Sequence, residues 1–219
     1  MDGDELTPWL IRYGYEHGAF PMTTQGDEIE WFQPTRRALF PMSGVHVSAS
    51  LRKVLRRGEF EITFDQAFEE VMRGCLRPDE NWISEEMIRV YTQIHHEGWA
   101  HSCEVWSTPG TPSPFSGCLV PANGEGAGGG ERSLVGGLYG LALGTCFCAE
   151  SMFHRQTNAS KVALRAMVEK CRSLGFTLFD AQVMNTHLAS LGAFEVTNAH
   201  YMGLLETALR GKTEWSLKC

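Results

Sequence analysis

Apolar positions recur with two periods along this chain, and the changes between them divide it into elements. "TPWLIRYGYEHG" opens with Thr7 as an N-cap and Pro8 at the first helical position, and Gly18 stops it. An aromatic, turn-rich stretch follows, "AFPMTTQGDEIEWFQP", and from "RRALFPM" onward the pattern is that of a mixed α/β domain. In "ITFDQAFEEVMRGC", Thr63 and Gln66 have capping-box spacing, and Phe64, Ala67, Phe68, Val71 and Met72 form a helical stripe. A second helix is expected after Ser84, with Met87, Ile88, Tyr91 and Ile94 inward and Gly98 at its end.

Period-two alternation marks a strand over 100–107, with Ser102, Glu104 and Trp106 on one face. Residues 108–132 are rich in Pro and Gly and carry no period, which predicts a flexible loop between paired strands. "SLVGGLYGLALGTCFCAES" is expected to be that strand pair. "NASKVALRAMVEKCRSLG" is expected to be a helix with Val162, Ala163, Ala166, Met167 and Val168 on its apolar side and Gly175 closing it. A short strand "FTLFDAQV", a short helix "NTHLASLG" and a last strand "AFEV" follow, and the chain ends in the basic-aromatic "RGKTEWSLKC".

At 219 residues, 43% hydrophobic and 21% charged, the chain suits a soluble globular fold with its own core. The acidic start "MDGDELTPWL" has no secretory pattern, and the weakly polar run at 134–149 is too short for a membrane helix. A cytosolic protein without membrane attachment is expected. The seven cysteines include no C-x-x-C and no zinc-like spacing, so they are read as reduced, mostly buried thiols with no metal. The net charge of −7 argues against bulk nucleic-acid binding, yet "SLRKVLRR" gathers Arg52, Lys53, Arg56 and Arg57. On a helix these lie i,i+4 on one broad face, either as a solvated charged surface or as a patch for an anionic partner.

The candidate chemistry lies in "FDAQVMNTHLASLGA", where Asp180 and Gln182, two apart on a strand, share a face. From the residues alone, Asp180 reads first as the cap of a loop. Asn185 is open between an oxyanion contact and a helix cap, and His187 reads as structural or surface.

The order of elements resembles that of the GCN5-related N-acetyltransferases, an α/β (α+β) fold. The ending "NTHLASLGAF" is similar to theirs, whereas "HRQTNASKVAL" has no glycine where their pyrophosphate loop would be, which argues against acyl-CoA. "HVSASLRKVLRRGEFEIT", "NWI", "VYTQIHHEGWAHSCEVW", "LVGGLYGLALGTCFCAESMFHRQTNASKVAL" and "LFDAQVMNTHLASLGA", with "YGYEHGAFPM" and "WFQPTRRALFPM" before them, together resemble the leucyl/phenylalanyl-tRNA–protein transferase family from about residue 10 to 205. That resemblance implies a small N-terminal domain (1–36) and an acetyltransferase-like catalytic domain (37–219), the latter interrupted by the 108–132 loop. It also implies transfer of Leu, Phe or Met from aminoacyl-tRNA to an N-terminal Arg or Lys of a protein, which marks that protein for degradation, with no cofactor. Gln182 would orient or help deprotonate the attacking amine, with Asp180 fixing Gln182 or receiving the proton. Trp82 and Tyr91 would contact the terminal adenosine and aminoacyl group. Leu138, Phe147, Glu150, Met152 and Met167 would form the amino-acid pocket, with only one of Met152 and Phe153 facing it. Arg52, Lys53, Arg56 and Arg57 would meet the acceptor stem. Met22, Met167 and Cys171 stand where relatives can carry aromatics. The alternatives are an acyl-CoA-dependent N-acyltransferase or a non-catalytic tRNA-binding protein, and a monomer is expected.

Overall fold

A computed structural model describes residues 5–24, 28–77, 82–107 and 132–215. The N-terminal helix α1 (Pro8–Glu16) is capped by the Thr7 hydroxyl, which accepts from the Leu10 N–H, and it buries Ile11 and Tyr15. It leads into an antiparallel hairpin of β1 (Phe20–Thr23) and β2 (Ile29–Phe32). Then come β3 (Arg36–Phe40), α2 (Ala49–Arg57), β4 (Phe60–Phe64), α3 (Phe68–Gly74) and α4 (Glu85–His96). The second half comprises β5 (Ala100–Ser107), β6 (Leu134–Leu143), β7 (Cys146–His154), α5 (Ala159–Ser173), β8 (Leu178–Asp180), α6 (Thr186–Ser190), β9 (Phe194–Thr197) and α7 (Asn198–Arg210).

Seven strands form one mixed sheet in the order β4-β5-β6-β7-β8-β3-β9. Only β7 and β8 run parallel, as their connection through α5 requires; every other pairing is antiparallel. Both faces are covered. Trp106, Tyr139 and Leu141 point into one apolar cluster with α1, α3, α4 and α7. Cys103, Val105 and Leu138 point into the other, with α2, α5 and α6. That burial on two sides explains why β5 is apolar or paired along its whole length.

Two expectations need correction. Thr63 caps no helix: residues 60–64 are strand β4, α3 starts only at Phe68, and its N-cap position holds Ala67. The Thr63 hydroxyl donates instead to Glu104 at 2.6 Å and accepts from the Trp106 indole at 2.8 Å, while Ser102 donates to the same carboxylate. The shared face of Ser102, Glu104 and Trp106 is therefore satisfied by a strand neighbour, so a buried carboxylate is tolerated. Phe64 accordingly leaves the expected helical stripe and joins the α5 side of the sheet. Second, residues 198–210, assigned no element from sequence, form α7, capped by Thr197 and burying Tyr201, Leu205 and Ala208. Beyond it Trp215 stacks on His101 with ring centroids 3.9 Å apart. The expected loop at 108–132 falls, up to residue 131, outside the described residues; the strands on either side of it, β5 and β6, are paired. Cys75, Cys103, Cys146, Cys148 and Cys171 are buried free thiols. Among the described residues no helix is long and apolar enough to cross a membrane.

Candidate active site

Two features of the sheet open a cavity at its middle. Strand β8 pairs with β7 only as far as Cys148 opposite Asp180, so β7 continues beyond the end of its parallel neighbour. In the other direction the register of β6 with β7 shifts: Tyr139 faces Ser151 while Gly140 faces Ala149. Glu150 is thus the extra residue of a bulge, a device that turns a side chain out of the ladder's alternation. Gly140 makes the bulge possible, because a Cβ there would meet the Cys148 carbonyl and the Phe147 ring.

The resulting cavity has a volume of about 260 Å³ and runs from a polar end, Glu150 and Gln182, to apolar walls from several elements. Phe20 and Met22 come from β1, Leu138 from β6, Met152 from β7 and Leu164 from α5, while Trp82 stands before α4. Asn185 and Leu188 close the side formed by α6, and Arg77 and Ser151 add polar groups.

Asp180 lies beneath the cavity and is fully buried. Its carboxylate is held on all sides. The Arg37 Nε donates to both oxygens at 2.9 Å and an outer guanidinium nitrogen to Oδ2 at 2.6 Å. The Tyr201 hydroxyl donates at 2.9 Å and the Gln182 N–H at 2.8 Å. Arg37, itself fully buried, donates also to the Gly18 carbonyl and lies over the rings of Phe20 and Tyr201. Burial works against the Arg37 charge, but Asp180 outweighs it and pushes the Arg37 pKa up, so the guanidinium keeps its charge. The ion pair and its neighbours thereby tie β8 to β3, to α7 and to the turn that follows α1.

Gln182 follows with φ of 61°, a left-handed conformation uncommon outside glycine. The backbone is kept there by Ala38, which exchanges hydrogen bonds with Ala181 and Gln182, and by Asp180 accepting from the Gln182 N–H. The turn delivers the carboxamide to Glu150: Gln182 Nε2 donates to Oε1 at 2.9 Å. The second oxygen, Oε2, is buried without a hydrogen-bond partner. Burial, as the largest effect, raises the Glu150 pKa to about 7; the neighbouring Asp180 adds to this, while Tyr15 and Gln182 oppose it. Behind Glu150 the Tyr15 and Tyr91 hydroxyls share a hydrogen bond of 3.1 Å.

Of the residues singled out from sequence, the structure brings Trp82, Leu138, Glu150, Met152, Gln182 and Asn185 to one cavity. It does not bring Phe147 or Met167 there: both are buried in the core between sheet and α5, as is Cys171. The helix presents Leu164 to the cavity instead. Tyr91 is buried behind Glu150 and, like Asp180, does not line the cavity. Met152 faces the site and Phe153 turns away onto Gly74. Asn185 both caps α6, accepting from the Leu188 N–H at 2.8 Å, and lines the cavity. His187 is half-buried, its pKa lowered by burial and by Lys161 and His154. Arg52, Lys53, Arg56 and Arg57 are all exposed on α2. Among the described residues no group of three or more His, Cys, Asp or Glu side chains is placed to hold a metal ion.

Sequence reasoning missed Arg37, Tyr201, Tyr15 and Arg77. Arg37 carries no local sign of its role, since its partner is 143 positions away.

Family models described as leucyl/phenylalanyl-tRNA protein transferase and its N-terminal domain match residues 39–111 with 130–206, and 4–35. A leucyl/phenylalanyl-tRNA–protein transferase of Herpetosiphon aurantiacus is 44% identical over 94% of this chain and 95% of its own length. Proteins of the same name from Shewanella baltica and Ruegeria pomeroyi are 42% and 40% identical, over 99% and 96% of this chain and 84% and 90% of theirs. With a cavity that joins an acid, a carboxamide and apolar walls, and likeness running almost end to end, this chain belongs to the leucyl/phenylalanyl-tRNA–protein transferase family.

Proposed function

We propose that the protein transfers Leu, Phe or Met from aminoacyl-tRNA to the N-terminal Arg or Lys of acceptor proteins, forming a peptide bond that marks them for degradation. The observation that carries this reading is the two-ended cavity: apolar walls suited to an unbranched hydrophobic side chain, and Glu150 with Gln182 suited to an amine. The crossover from β7 through α5 to β8, where the strands part at the site, supports an acetyltransferase-like architecture for it.

The donor ester is already activated, so no ATP, metal or covalent nucleophile is required. An α-amine has a pKa of about 8 and is partly free near neutrality. Holding ester and amine in contact geometry is then the larger contribution. Gln182 orients the amine. Asp180, whose oxygens are all engaged, keeps the Gln182 turn in place and is not poised to receive a proton. Glu150, half ionised near pH 7, is the acid–base group within reach of the carboxamide. Trp82 offers an aromatic face for the terminal adenine. The four cations of α2 meet acceptor-stem phosphates, giving affinity without base readout. The enzyme so described is cytosolic and monomeric.

Labelled Leu-tRNA incubated with a peptide beginning in Arg tests the proposal. Transfer of label is expected, with none from acetyl-CoA. Tight tRNA binding without transfer would overturn it.

A further inference from the structure

Three elements that line the cavity, β7, α5 and α6, each carry a nitrogen-bearing side chain near the lining residue. On β7, His154 follows Met152 by two positions, hence on the same strand face. On α5, Lys161 precedes Leu164 by three, hence on the same side of the helix. On α6, His187 lies between Asn185 and Leu188. The three converge: Ser160, beside Lys161, has its hydroxyl 3.4 Å from the His154 ring, and Lys161 and His154 both act on His187. Among the described residues no carboxylate pairs with any of them. An ammonium without a carboxylate partner, set beside two imidazoles on a protein of net charge −7, suits an anion.

The geometry points to a phosphate-binding mouth made of His154, Lys161 and His187, which holds the phosphodiesters next to the terminal nucleotide of the donor RNA. Lys161 supplies the standing charge and the two imidazoles supply N–H donors. The mouth adjoins the cavity that takes the aminoacyl ester and is a separate feature from the α2 patch. It reads the single-stranded 3′ end rather than the stem. This inference rests on the tRNA-dependent function proposed above, and its test reads binding, not turnover.

Uncharged tRNA and the same tRNA lacking its three 3′-terminal nucleotides are the probes. Lys161→Ala is expected to weaken the intact tRNA about tenfold and to leave the shortened one unchanged, with Lys161→Arg restoring affinity. The slope of log K against log salt should become shallower by roughly 0.7–0.9 for the lost phosphate contact. Arg56→Ala, on α2, should weaken both RNAs alike. By NMR, adding the trinucleotide CCA should raise the His187 pKa, because a bound anion favours the imidazolium. Equal loss for both RNAs in Lys161→Ala, no loss for either, or an unmoved His187 titration would overturn the proposal. Failure of the tRNA-transfer reading would appear separately, as wild-type protein that binds intact tRNA yet transfers nothing to an Arg peptide.

Discussion

Replacing Asp180 by Asn keeps the size of the side chain and removes its charge. Arg37, with no exposed surface, would then hold an uncompensated positive charge, and Tyr201 and the Gln182 N–H would face a weaker acceptor. Breaking a buried ion pair by removing one partner costs about 3–5 kcal/mol. In a chain of this length each kcal/mol moves the melting temperature by roughly 2–4 °C, so Asp180→Asn should melt roughly 6–20 °C below wild type. The complementary variant, Arg37→Met with Asp180→Leu, removes both charges. Because charge burial costs nearly what the pair returns, the double variant should be more stable than Asp180→Asn alone. Circular dichroism melts at pH 7 measure both. Transfer rates taken well below the transition then separate folding from chemistry. A melting temperature for Asp180→Asn within 2 °C of wild type, with transfer abolished, would refute this reasoning and return Asp180 to the reaction itself.

Glu150 gives a pH-dependent prediction. Its folded pKa of about 7 lies above the ordinary 4.5, so the folded state holds the proton more tightly and loses stability as pH rises from 4.5 through 7. The full difference is roughly 3 kcal/mol. Glu150→Gln should therefore melt several degrees above wild type at pH 8 and close to it at pH 4.5, while losing at least tenfold in kcat; equal melting at pH 8 would count against a buried ionised acid. Gly140→Ala should cost about 1–3 kcal/mol and reduce transfer, since its Cβ would run into the Cys148 carbonyl at the bulge; urea denaturation measures the first and kcat the second. Trp82→Ala should raise KM for aminoacyl-tRNA several-fold with little change in melting temperature, because Trp82 lines the cavity only partly buried. Removing charges from Arg52, Lys53, Arg56 and Arg57 should weaken tRNA binding progressively, and less so at high salt.

The elements whose signals are local were legible. Thr7, Ser84 and the apolar stripe of α5 each announce their helices, and the structure has α1, α4 and α5 there. Thr63 misled because its spacing to Gln66 mimics a capping box, while its hydroxyl is taken up by Glu104, 41 positions away. Helix α7 escaped because its inward residues, Tyr201, Leu205 and Ala208, are few and interleaved with exposed Leu204. The family resemblance implies a place for Met167 in the pocket. Yet a helix of 15 residues packed on a sheet buries most of one side, and only Leu164 stands at the gap between β7 and β8. The bulge at Glu150 has no sequence marker of its own except the nearby Gly140, one of several glycines along β6.

The same long-range pairing changes how the D-x-Q segment works. Period two puts Asp180 and Gln182 on one face of an extended strand, which is how two side chains would reach one substrate. The strand stops at Asp180, and Gln182 has a positive φ, so the two side chains diverge. Asp180 points down into Arg37 and Tyr201, whereas Gln182 points up to Glu150. The positive φ is costly for a residue with a Cβ, and the Asp180 carboxylate offsets that cost by binding the Gln182 N–H. An acid is required at 180 because a neutral residue would leave Arg37 unpaired. A long carboxamide is required at 182 because it must reach past the turn. The pair is thus an anchor and an arm, and the arm meets a carboxyl from the neighbouring strand, Glu150, which the bulge presents to the cavity.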